Sequence, residues 1–589
     1  MDNNLILGID LGTTNSLVGV VDAGFPILLA DKNGERSTPS VVHYGSGGHI
    51  TVGTAARRQQ VLDSARTVFS VKRLIGRRPG ESDWEPPYDL RVLGTTPSKV
   101  SAEILKHLKQ VAEDSLGQNV SRAVITVPAF FNDAQRAATK HAAELAGLSV
   151  DRILAEPTAA ALAYGLDQLG ERKRVAVYDF GGGTFDISIL EMRDGVFQVL
   201  STAGDTQLGG DDIDAALVRY LKSKRDWTAA EDVAQDAAWT EAAERAKRQL
   251  STHDSVEVIL PFIDGSHSFH VVVERAELEQ MARPFVDRTI KHCQRALHDA
   301  KLNVEDLDEV ILVGGSTRMP LVRQRVRDAF KTEPNLSQNP DEAVAKGAVI
   351  QAGILSGALR QMILLDVTPL SLGIETFGGL MNIIIPRNST IPCKAGEMFT
   401  NAVAGQESML IRVLQGEREL AKDNWELGRV EVPFPSGAKG TARVGVQFSI
   451  DADGILSVLA RDTATGKDTV LEIQNTAVDV DDSRVEEMIN ASVEHALDDM
   501  NERIWTEAKM KSEELLAAVD EALPLVGDAV DTGAIRRASS AVREILEAEL
   551  HDATALKRAN ATLDDVTQSL AVLLVERAME EALDRKLGL

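Results

Sequence analysis

Two short segments of the sequence carry glycines, hydroxyl side chains and carboxylates in the arrangement of phosphate-binding loops. Residues 10–15 are Asp-Leu-Gly-Thr-Thr-Asn, and residues 179–186 are Asp-Phe-Gly-Gly-Gly-Thr-Phe-Asp. Glycine lets a backbone approach an anion closely, and threonine offers hydroxyl and amide donors. The first segment alone also fits a common hairpin turn. A tight turn explains one or two of the three glycines in the second, but not three flanked by carboxylates.

The pairing of the two loops predicts that they hold the β- and γ-phosphates of a nucleotide together with its Mg²⁺ ion. Asp10, at the end of a predicted strand, is expected to face that ion. The residues predicted to contact the phosphates are Gly12, Thr13, Thr14, Gly181, Gly182 and Gly183.

Two further segments offer candidate contacts to a nucleoside. Gly314-Gly315 precedes Arg318 and a predicted helix, which fits either a plain strand-to-helix turn or close packing against a base on which Arg318 stacks. Residues 243–251 predict a helix, and its four polar residues share one face. They are Glu244, Lys247, Arg248 and Ser251. Such a face is usually a solvent-exposed array of ion pairs, so the spacing alone assigns no ligand.

The elements that must position these loops occur twice. Residues 5–21 predict a strand–turn–strand hairpin around the first loop, and residues 175–190 predict another around the second. Each hairpin is followed later by a strand that leads into a helix, at residues 123–127 and 310–313. A duplicated α/β fold of this kind has a cleft between two lobes, and ligands bind at the carboxyl ends of its strands.

Three sequence patterns succeed one another along the chain. Residues 1–358 alternate strand-like and helical patterns, residues 367–478 are rich in β-branched residues, glycine and proline, and residues 479–589 have a helical pattern. Residues 359–366 join the first two regions. Their apolar part, Met362–Leu365, fits two interpretations: the first buried strand of the β-rich region, or a linker that docks in one state and is exposed in another.

Composition excludes several classes of protein. The chain has 589 residues, of which 44% are hydrophobic, and its net charge of −26 is unsuited to a general nucleic-acid binder. Cys293 and Cys393 form no framework of disulfides, so a reducing compartment is expected. The sequence has no apolar run of about 18 residues and no basic secretory start. We expect a cytoplasmic protein with no membrane or nucleic-acid partner.

Six longer segments occur in the order and with the residues of one known family. They are Gly8–Asn15, Val124–Gln135, Glu156–Gly165, Asp179–Asp186, Gly314–Pro320 and Leu364–Glu375. They resemble the seventy-kilodalton heat-shock chaperone family, most closely its bacterial DnaK-type members, in register from about residue 5 to residue 476. The resemblance implies a multidomain fold: an actin-like duplicated α/β ATPase domain, a linker, a β-sandwich that binds peptide, and an α-helical lid. The corresponding boundaries are 1–358, 359–366, 367–478 and 479–589.

The resemblance implies roles for residues of the ATPase cleft. Lys72, which without the family would be taken for part of a solvated basic run, matches an essential lysine that meets the γ-phosphate and orients water. Glu156 matches a carboxylate that helps to place water and metal, and Thr184 matches a threonine that reaches the γ-phosphate. The ring implied to hold Mg²⁺ and K⁺, mostly through water, is Asp10, Asp179 and Asp186. The residues implied to bind the ribose and adenine of ATP or ADP are Glu244, Lys247, Arg248, Ser251, Gly314, Gly315, Arg318 and Asp341.

The resemblance also implies a peptide-binding cleft in the β-rich region. Its residues would be Ile374, Phe377, Phe399, Ala402, Met409, Ile411 and Val444. Taken singly, an apolar residue in a strand more often belongs to a core. Met409 stands where the family usually has a smaller β-branched residue, so its flexible side chain is expected to reshape the central pocket. Phe377 and Ala402 would form an arch across the peptide.

Coupling between nucleotide and peptide is the last property that the resemblance implies. The residues concerned are Pro128, Arg136, Arg152, Leu364, Leu365 and Asp366. Arg152 and Asp366 match positions linked to stimulation by a J-domain co-chaperone, whereas by pattern alone Pro128 simply ends a strand. The segment Ser251–Arg275 is shorter than is usual in the family, which leaves dependence on a nucleotide-exchange factor open.

Three functions are compatible with a duplicated α/β fold of this type. The first is an ATP-dependent chaperone that binds extended apolar segments of unfolded client polypeptides. The second is a small-molecule kinase of the sugar-kinase type, and the third is an actin-like filament protein. Neither the kinase nor the filament protein has a use for the β-rich and helical regions after residue 358, so the sequence favours the chaperone.

Overall fold

The computed structural model describes residues 5–76, 86–165, 172–193, 195–225, 233–263, 267–359, 363–472, 496–526, 532–548 and 552–587. The chain forms two compact units. The first comprises Met1–Leu372, Ile383–Gln415 and Glu426–Glu486, and the second comprises Gly373–Asn382, Gly416–Trp425 and Glu487–Leu589. The domain boundaries derived from the sequence therefore stay a prediction.

The α/β region alternates strands and helices, as predicted. Its strands are β1 (Leu7–Asp10), β2 (Asn15–Asp22), β3 (Phe25–Leu28), β4 (Thr38–Pro39), β5 (Val42–Tyr44), β6 (Ile50–Val52), β7 (Thr67–Val68), β8 (Arg122–Val127), β9 (Ser149–Ala155), β10 (Lys173–Phe180), β11 (Phe185–Arg193), β12 (Val196–Asp205), β13 (Ser255–Leu260), β14 (Phe269–Glu274), β15 (Glu309–Val313) and β16 (Ile363–Val367). Its helices are α1 (Thr54–Arg57), α2 (Pro97–Leu116), α3 (Asp133–Leu145), α4 (Glu156–Gly165), α5 (Gly210–Ser223), α6 (Val233–Leu250), α7 (Arg275–Asp299), α8 (Pro320–Phe330) and α9 (Ala343–Ser356).

The rest of the chain is first strands and then helices, again as predicted. The strands are β17 (Leu372–Thr376), β18 (Leu380–Ile385), β19 (Thr390–Ile391), β20 (Cys393–Phe399), β21 (Ser408–Gln415), β22 (Trp425–Pro433), β23 (Val444–Ile450), β24 (Leu456–Asp462) and β25 (Lys467–Glu472). The helices are α10 (Ala496–Val526), α11 (Thr532–Glu547) and α12 (Ala553–Leu587). Among the described residues, no helix combines the length and the apolar character needed to cross a bilayer.

Two sheets of similar topology form the α/β region. In the first, the strand order is β3-β2-β1-β8-β9, with β1 antiparallel to β2 and parallel to β8. In the second, the order is β15-β10-β11-β12-β16-β19, with β10 antiparallel to β11 and parallel to β15. The predicted duplication of a hairpin with a later parallel strand is confirmed. Both phosphate-type loops start at the carboxyl end of a strand, the edge at which such sheets bind ligands.

Two separate hydrophobic cores define two lobes within the first unit. The core of the first lobe packs β1, β8, α2 and α3 around residues such as Ile125. The core of the second lobe packs β10, β11, α5 and α7 around residues such as Phe185. Between them α4 packs against α9 so closely that a Cβ on Gly347 would lie 1.8 Å from the carbonyl oxygen of Ala159. The lobes therefore meet through two tightly packed helices.

The apolar segment before the β-rich region is a strand with neighbours on both sides. Ile363, Leu364 and Leu365 of β16 pair in parallel with β12 of the second lobe, and Asp366 and Val367 pair with β19. Leu364 packs against the cluster that contains α4 and α9. Met362 lies outside the described residues. The segment is thus a strand, in line with the interpretation as the first strand of the β-rich region. In this structure it is also bonded to the α/β sheet, in line with the interpretation as a docked linker.

The β-rich part of the first unit contains a four-stranded antiparallel sheet. Its order is β20-β23-β24-β25, and the predicted hairpin of β23 and β24 turns at Asp453-Gly454, where Gly454 has a φ of 80°. In the second unit, α10, α11 and α12 share a core that includes Trp505, Val542 and Leu563. Residues 473–495, which include the predicted junction at 478, lie outside the described residues.

Candidate functional site

The two predicted phosphate loops lie against each other. A Cβ added to Gly182 would be 2.0 Å from Thr14 Oγ1, and one added to Gly183 would be 2.6 Å from Thr13 Cγ2. The hydroxyl oxygen of Thr14 is buried and has no hydrogen-bond partner among the residues that the structure describes. Backbone amides and an unsatisfied hydroxyl at one point suit a phosphate group, because an unpaired buried donor is costly. The loops therefore fit the anion that the sequence predicts.

The second loop is fixed by contacts to two neighbouring segments. Gly181 receives hydrogen bonds at its carbonyl oxygen from the Gly210 amide at 3.0 Å and from the Ser316 hydroxyl at 2.7 Å. Its own amide donates to the carbonyl of Thr184 at 3.0 Å. The start of α5 and the short 3₁₀ helix Gly315–Arg318 thus hold the loop in place.

Four carboxylates lie beside the loops. Asp179 and Asp186 are directly opposite each other on β10 and β11, and Thr126 donates a 2.9 Å hydrogen bond to Asp10. Burial, and next the charge of Glu156, raises the pKa of Asp10 to about 7. Burial and the neighbouring carboxylates also raise the pKa of Asp179 well above its usual value. Carboxylates with raised pKa values gain from a nearby cation, because its charge favours their ionised form.

The oxygen-rich set suits Mg²⁺, which prefers oxygen ligands and keeps part of its hydration shell. Across the described ranges, no three Asp, Glu, His or Cys side chains converge closely enough to bind a metal directly. A metal here would accordingly be bound mostly through water and phosphate oxygens. The assignment of Asp10, Asp179 and Asp186 to Mg²⁺ and K⁺ stays a prediction.

Lys72 is buried between the first lobe and the carboxylates. It belongs to the 3₁₀ helix Val71–Leu74, its side chain is 6% exposed, and its ammonium group is paired with Glu156. The same ammonium group lies 5.9 Å from the ring centroid of Phe131. A lysine with this burial is not part of a solvated basic run. Its position favours the role that the resemblance implies.

The predicted nucleoside face of α6 forms specific ion pairs. Glu244 is paired with Arg57 of the first lobe and, at 2.6 Å, with Arg248. Burial alone would raise the pKa of Glu244, but these two guanidinium groups lower it. Lys247 donates at 2.6 Å to Asp214 and at 2.8 Å to a backbone carbonyl. The helix ends at Leu250, so Ser251 lies in the turn that follows, where its hydroxyl donates to the carbonyl of Lys247 at 3.2 Å.

The glycine pair before α8 forms the other side of the nucleoside region. Gly314 has a φ of 84°, and a Cβ there would lie 2.4 Å from the carbonyl oxygen of Phe180. Gly315 lies beside Asp341, which pairs with Arg318 at 2.6 Å. The Arg318 side chain is 48% exposed, so its planar face is open to a base.

These groups line one cleft of about 970 Å³, a size typical of small-molecule sites. The predicted residues that line it are Asp10, Gly12, Thr13, Thr14, Glu156, Asp179, Gly181, Gly182, Thr184, Glu244, Lys247, Arg248, Ser251, Gly314, Gly315, Arg318 and Asp341. Lys72, Gly183 and Asp186 do not line it directly but lie against residues that do. Phosphate loops, carboxylates and the nucleoside face therefore meet in one place.

We expect Gly314→Ala to lower the free energy of unfolding by about 3 kcal/mol. Alanine is unfavourable in the left-handed backbone conformation of residue 314, and its Cβ would overlap with the backbone of Phe180. Gly24 is a matched control, since its φ is also 84° and no atom of the described residues lies within 4 Å of its added Cβ. Gly24→Ala should lower the same free energy by only about 1 kcal/mol. Denaturant titrations followed by circular dichroism measure both values. Equal losses would show that close packing at Gly314 is unimportant.

Comparison with protein-family models decides the affiliation. The model described as "Hsp70 protein" matches residues 6–576. The chain belongs to the Hsp70 family. Members of this family are ATPases that use ATP or ADP with Mg²⁺, and a chaperone function follows in general terms. The match does not favour the sugar-kinase or filament alternatives. Mixed α/β sheets followed by a helical C-terminal region are compatible with an Hsp70 fold.

Three residues of the Hsp70 cleft were missed by sequence reasoning. Arg73 was given no role from the sequence, yet it is only 3% exposed. Asp214 holds Lys247, and burial, opposed by that lysine, raises the pKa of its carboxyl to about 7. Ser316 supports the second loop. The available signal was the Gly-Gly-Asp-Asp-Ile-Asp run at residues 209–214, which places carboxylates in the first turn of a predicted helix.

The predicted peptide-binding residues differ in exposure. In the first unit, Ile411 and Val444 are buried, whereas Phe399, Ala402 and Met409 are half-buried. In the second unit, Ile374 is buried and Phe377 is 62% exposed. The assignment of these residues to a peptide cleft stays a prediction.

One of the predicted coupling residues, Arg136, contacts the turn between β23 and β24. Pro128 is buried, and Arg136 donates to the carbonyls of Phe131 at 3.1 Å and of Asp453 at 3.3 Å. Burial raises the pKa of Asp366, although the charges of Arg136 and Arg152 oppose the rise. Leu364 and Leu365 belong to β16, described above. Arg136 thus contacts both the α/β region and the β23–β24 turn.

Proposed function

We propose that this Hsp70 protein is an ATP-driven chaperone, in which ATP hydrolysis and exchange switch the affinity of the β-sandwich for extended apolar segments of client polypeptides. The observation that carries the proposal is the double pairing of β16. This strand is bonded to β12 of the nucleotide-binding sheet on one side and to β19 of the β-rich region on the other. A change in the second lobe therefore acts directly on the segment that leads to the peptide-binding region.

The residues that line the cleft support the proposed binding of nucleotide and metal. The two glycine loops would hold the phosphates, Asp10, Asp179 and Asp186 would hold hydrated Mg²⁺ and K⁺, and the α6 face with Arg318 would hold the nucleoside. Bound Mg²⁺ supplies charge neutralisation to the phosphates. The unpaired hydroxyl of Thr14 and the raised pKa values of Asp10 and Asp179 support these assignments.

The chain's own residues would activate and orient the attacking water. Lys72 is held by Glu156 close to the carboxylates, so its charge is fixed where negative charge develops during transfer of the γ-phosphoryl group. Glu156 accepts a hydrogen bond from Lys72 and is positioned to accept one from a water. The hydroxyl of Thr184, beside the second loop, is available to the γ-phosphate. Because these groups are fixed before the reaction, little reorganisation is needed.

A short series of contacts connects the carboxylates to the β-sandwich. The Phe130 amide donates to Asp186 at 3.2 Å, and the next residue, Phe131, accepts at its carbonyl oxygen from Arg136. Arg136 in turn donates to the carbonyl of Asp453. The carboxylate of Asp453 accepts from the Ile153 amide at 3.0 Å. A shift of Asp186 on binding of metal and nucleotide would therefore reach the β23–β24 turn through three residues.

A second contact joins the loop before β19 to the second lobe. Arg387, in the loop before β19, donates at 2.7 Å to Asp299 at the end of α7. Asp299 is 6% exposed, so this ion pair is partly desolvated and sensitive to the exact position of the loop. Two separate contacts with the α/β region give the β-sandwich a defined docked arrangement. Release of both would free the sandwich to change its grip on peptide.

Measurement of single-turnover ATP hydrolysis with and without an apolar heptapeptide tests the proposal. We expect the peptide to accelerate hydrolysis several-fold, and a J-domain co-chaperone to add to that effect. A phosphorylated small molecule would favour a kinase instead, and nucleotide-dependent sedimentation would favour a filament protein. A hydrolysis rate that is the same with and without peptide would contradict the proposal. A cytoplasmic location belongs to the same proposal, whereas dependence on a nucleotide-exchange factor stays open.

We expect Met409→Phe to weaken peptide binding about tenfold, because the larger ring would fill a pocket that has to accept a client side chain. Leu410 is a matched control, since it is the next residue of β21, points to the opposite face and is 55% exposed. Leu410→Phe should leave peptide affinity within twofold of that of the unsubstituted protein. Fluorescence anisotropy of a labelled heptapeptide with ADP measures both. Unchanged affinity in Met409→Phe would remove this residue from the cleft.

A further inference from the structure

Arg73 is a buried cation that the proposed mechanism does not yet use. Its side chain is 2% exposed, and it donates two hydrogen bonds to the carboxylate of Asp212, at 2.7 and 3.3 Å. Its Nε lies 4.0 Å from Asp211. Ser70, three residues earlier, donates to the same Asp211 carboxylate at 2.8 Å. Arg73 and Ser70 thus form a compact cluster with two neighbouring carboxylates.

This cluster connects the two lobes. The neighbours of Arg73 in its 3₁₀ helix, such as Val71, belong to the core of the first lobe. Asp211 and Asp212 are in the first turn of α5, whose Ile213 belongs to the core of the second lobe. The ion pair therefore crosses the cleft. Asp212 also accepts from the Gly209 amide at 2.7 Å, which fixes the direction of its carboxylate.

The residue beside Arg73 in sequence is Lys72. The two side chains leave the same 3₁₀ turn toward different partners: Lys72 is paired with Glu156 at the start of α4, and Arg73 is paired with Asp212 at the start of α5. Arg73 also lies over the second phosphate loop, since a Cβ on Gly183 would be 2.9 Å from its Nε. The Lys72 ammonium group is thus carried by a turn that, in this structure, is bonded to the start of α5 in the second lobe.

The turn itself depends on an outside contact. Ser70 has a φ of 50°, a left-handed conformation that is unfavourable for a residue with a side chain and persists only where neighbours enforce it. The bond from Ser70 to Asp211 and the pair of Arg73 with Asp212 are two such constraints. A buried ion pair stabilises a fold no better than apolar packing of the same volume does. We therefore take the main effect of the Arg73–Asp212 pair to be that it fixes one geometry of the turn.

We propose that Arg73 is a positioning residue for hydrolysis: by pairing with Asp212 across the cleft, it fixes the turn that carries Lys72 and makes the reaction conditional on closure of the two lobes. This inference rests on the proposed ATPase function and extends it. Arg73 does not itself need to touch the nucleotide. Loss of the pair should slow the chemical step much more than it weakens binding.

Substitutions on both lobes test this inference in the full-length chain. In Arg73→Ala the single-turnover hydrolysis rate at saturating Mg·ATP should fall about 100-fold, because small misplacements of catalytic groups have effects of that size. The Kd for ATP, measured with a fluorescent analogue, should change by less than about fivefold. Asp212→Asn and Arg73→Lys keep hydrogen-bonding groups and should give intermediate losses of about tenfold. They carry the test if Arg73→Ala does not fold.

A double-mutant cycle separates positioning from a purely structural role. Arg73→Ala and Asp212→Ala should be strongly non-additive in the hydrolysis rate, since either one breaks the same pair. Arg122, whose pair with Asp151 lies within the first lobe, provides the control, and Arg122→Ala should hydrolyse ATP normally. The inference about Arg73 would be wrong if folded Arg73 variants hydrolysed ATP within twofold of the unsubstituted rate. It would also be wrong if they lost ATP affinity in parallel with the rate. Neither result would contradict the proposed ATPase function. Absence of hydrolysis in the unsubstituted protein would overturn the proposed function as well.

Discussion

Lys72→Ala is expected to reduce single-turnover ATP hydrolysis by about 10²–10³-fold, the usual cost of losing one fixed stabilising group at a developing charge. The structure gives the reason: Glu156 holds the Lys72 cation near Asp10 and Asp179, and burial and the charge of Glu156 raise the pKa values of both aspartates. ATP binding should persist, because the glycine loops and the nucleoside face are separate from Lys72. Rapid-quench assays and nucleotide titrations measure the two effects independently.

Lys106→Ala is the matched control for this substitution. Lys106 is on the exposed side of α2, where it pairs with Glu103 three residues earlier. Its loss should leave hydrolysis within twofold of normal, since an exposed pair of this kind contributes little. Near-normal turnover in Lys72→Ala would remove this lysine from the mechanism, and loss of ATP binding would show that its role is in affinity.

Leu364→Asp, alone or with Leu365→Asp, is expected to abolish the stimulation of hydrolysis by peptide. Leu364 pairs with Phe197 of β12 and packs, half-buried, against the cluster between α4 and α9, so a carboxylate there would lose part of its hydration and the apolar contact. The docked strand should therefore be released. The ratio of single-turnover rates with and without peptide should fall from several-fold to about one, while hydrolysis itself continues.

Ile363→Asp separates docking of the strand from a general effect of charge. Ile363 is the preceding residue of β16 and is 59% exposed, and its backbone pairs with Val196. A carboxylate at this position remains in water, so peptide stimulation should be retained. If Leu364→Asp kept full stimulation, the coupling through β16 would be wrong. If both variants lost peptide stimulation equally, the loss would be due to the added charge near the sheet and not to the lost packing of Leu364.

Much of the α/β region could be predicted from the sequence because its signals are local. The Asp-Leu-Gly-Thr-Thr and Asp-Phe-Gly-Gly-Gly-Thr loops follow apolar runs that can only be buried strands, and Pro320 starts α8 as its position suggests. The hairpin of β23 and β24 was also predictable, since Asp453-Gly454 separates two alternating runs.

The site was harder to predict where a residue acts through distant partners. Arg73 has a surface-like sequence context, and only folding brings it to Asp212, 139 residues later. Asp214 and Lys247 form a pair for the same reason. Sequence spacing also placed Ser251 on the face of α6, whereas the helix ends one residue earlier. The segment Met362–Leu365 could not be assigned from pattern, because an apolar run is equally suited to a core strand and to a docked linker.

The most direct test of the coupling is the dissociation rate of a labelled apolar heptapeptide, measured with ADP bound and again after addition of Mg·ATP. We predict dissociation at least about 100-fold faster with ATP, since a switch of clear physiological use needs nearly 3 kcal/mol between its two states. Thr184→Ala, with hydrolysis slowed, should show the same fast release and so separate binding of ATP from its hydrolysis. Equal dissociation rates with the two nucleotides would contradict the central claim that the cleft controls the grip on peptide.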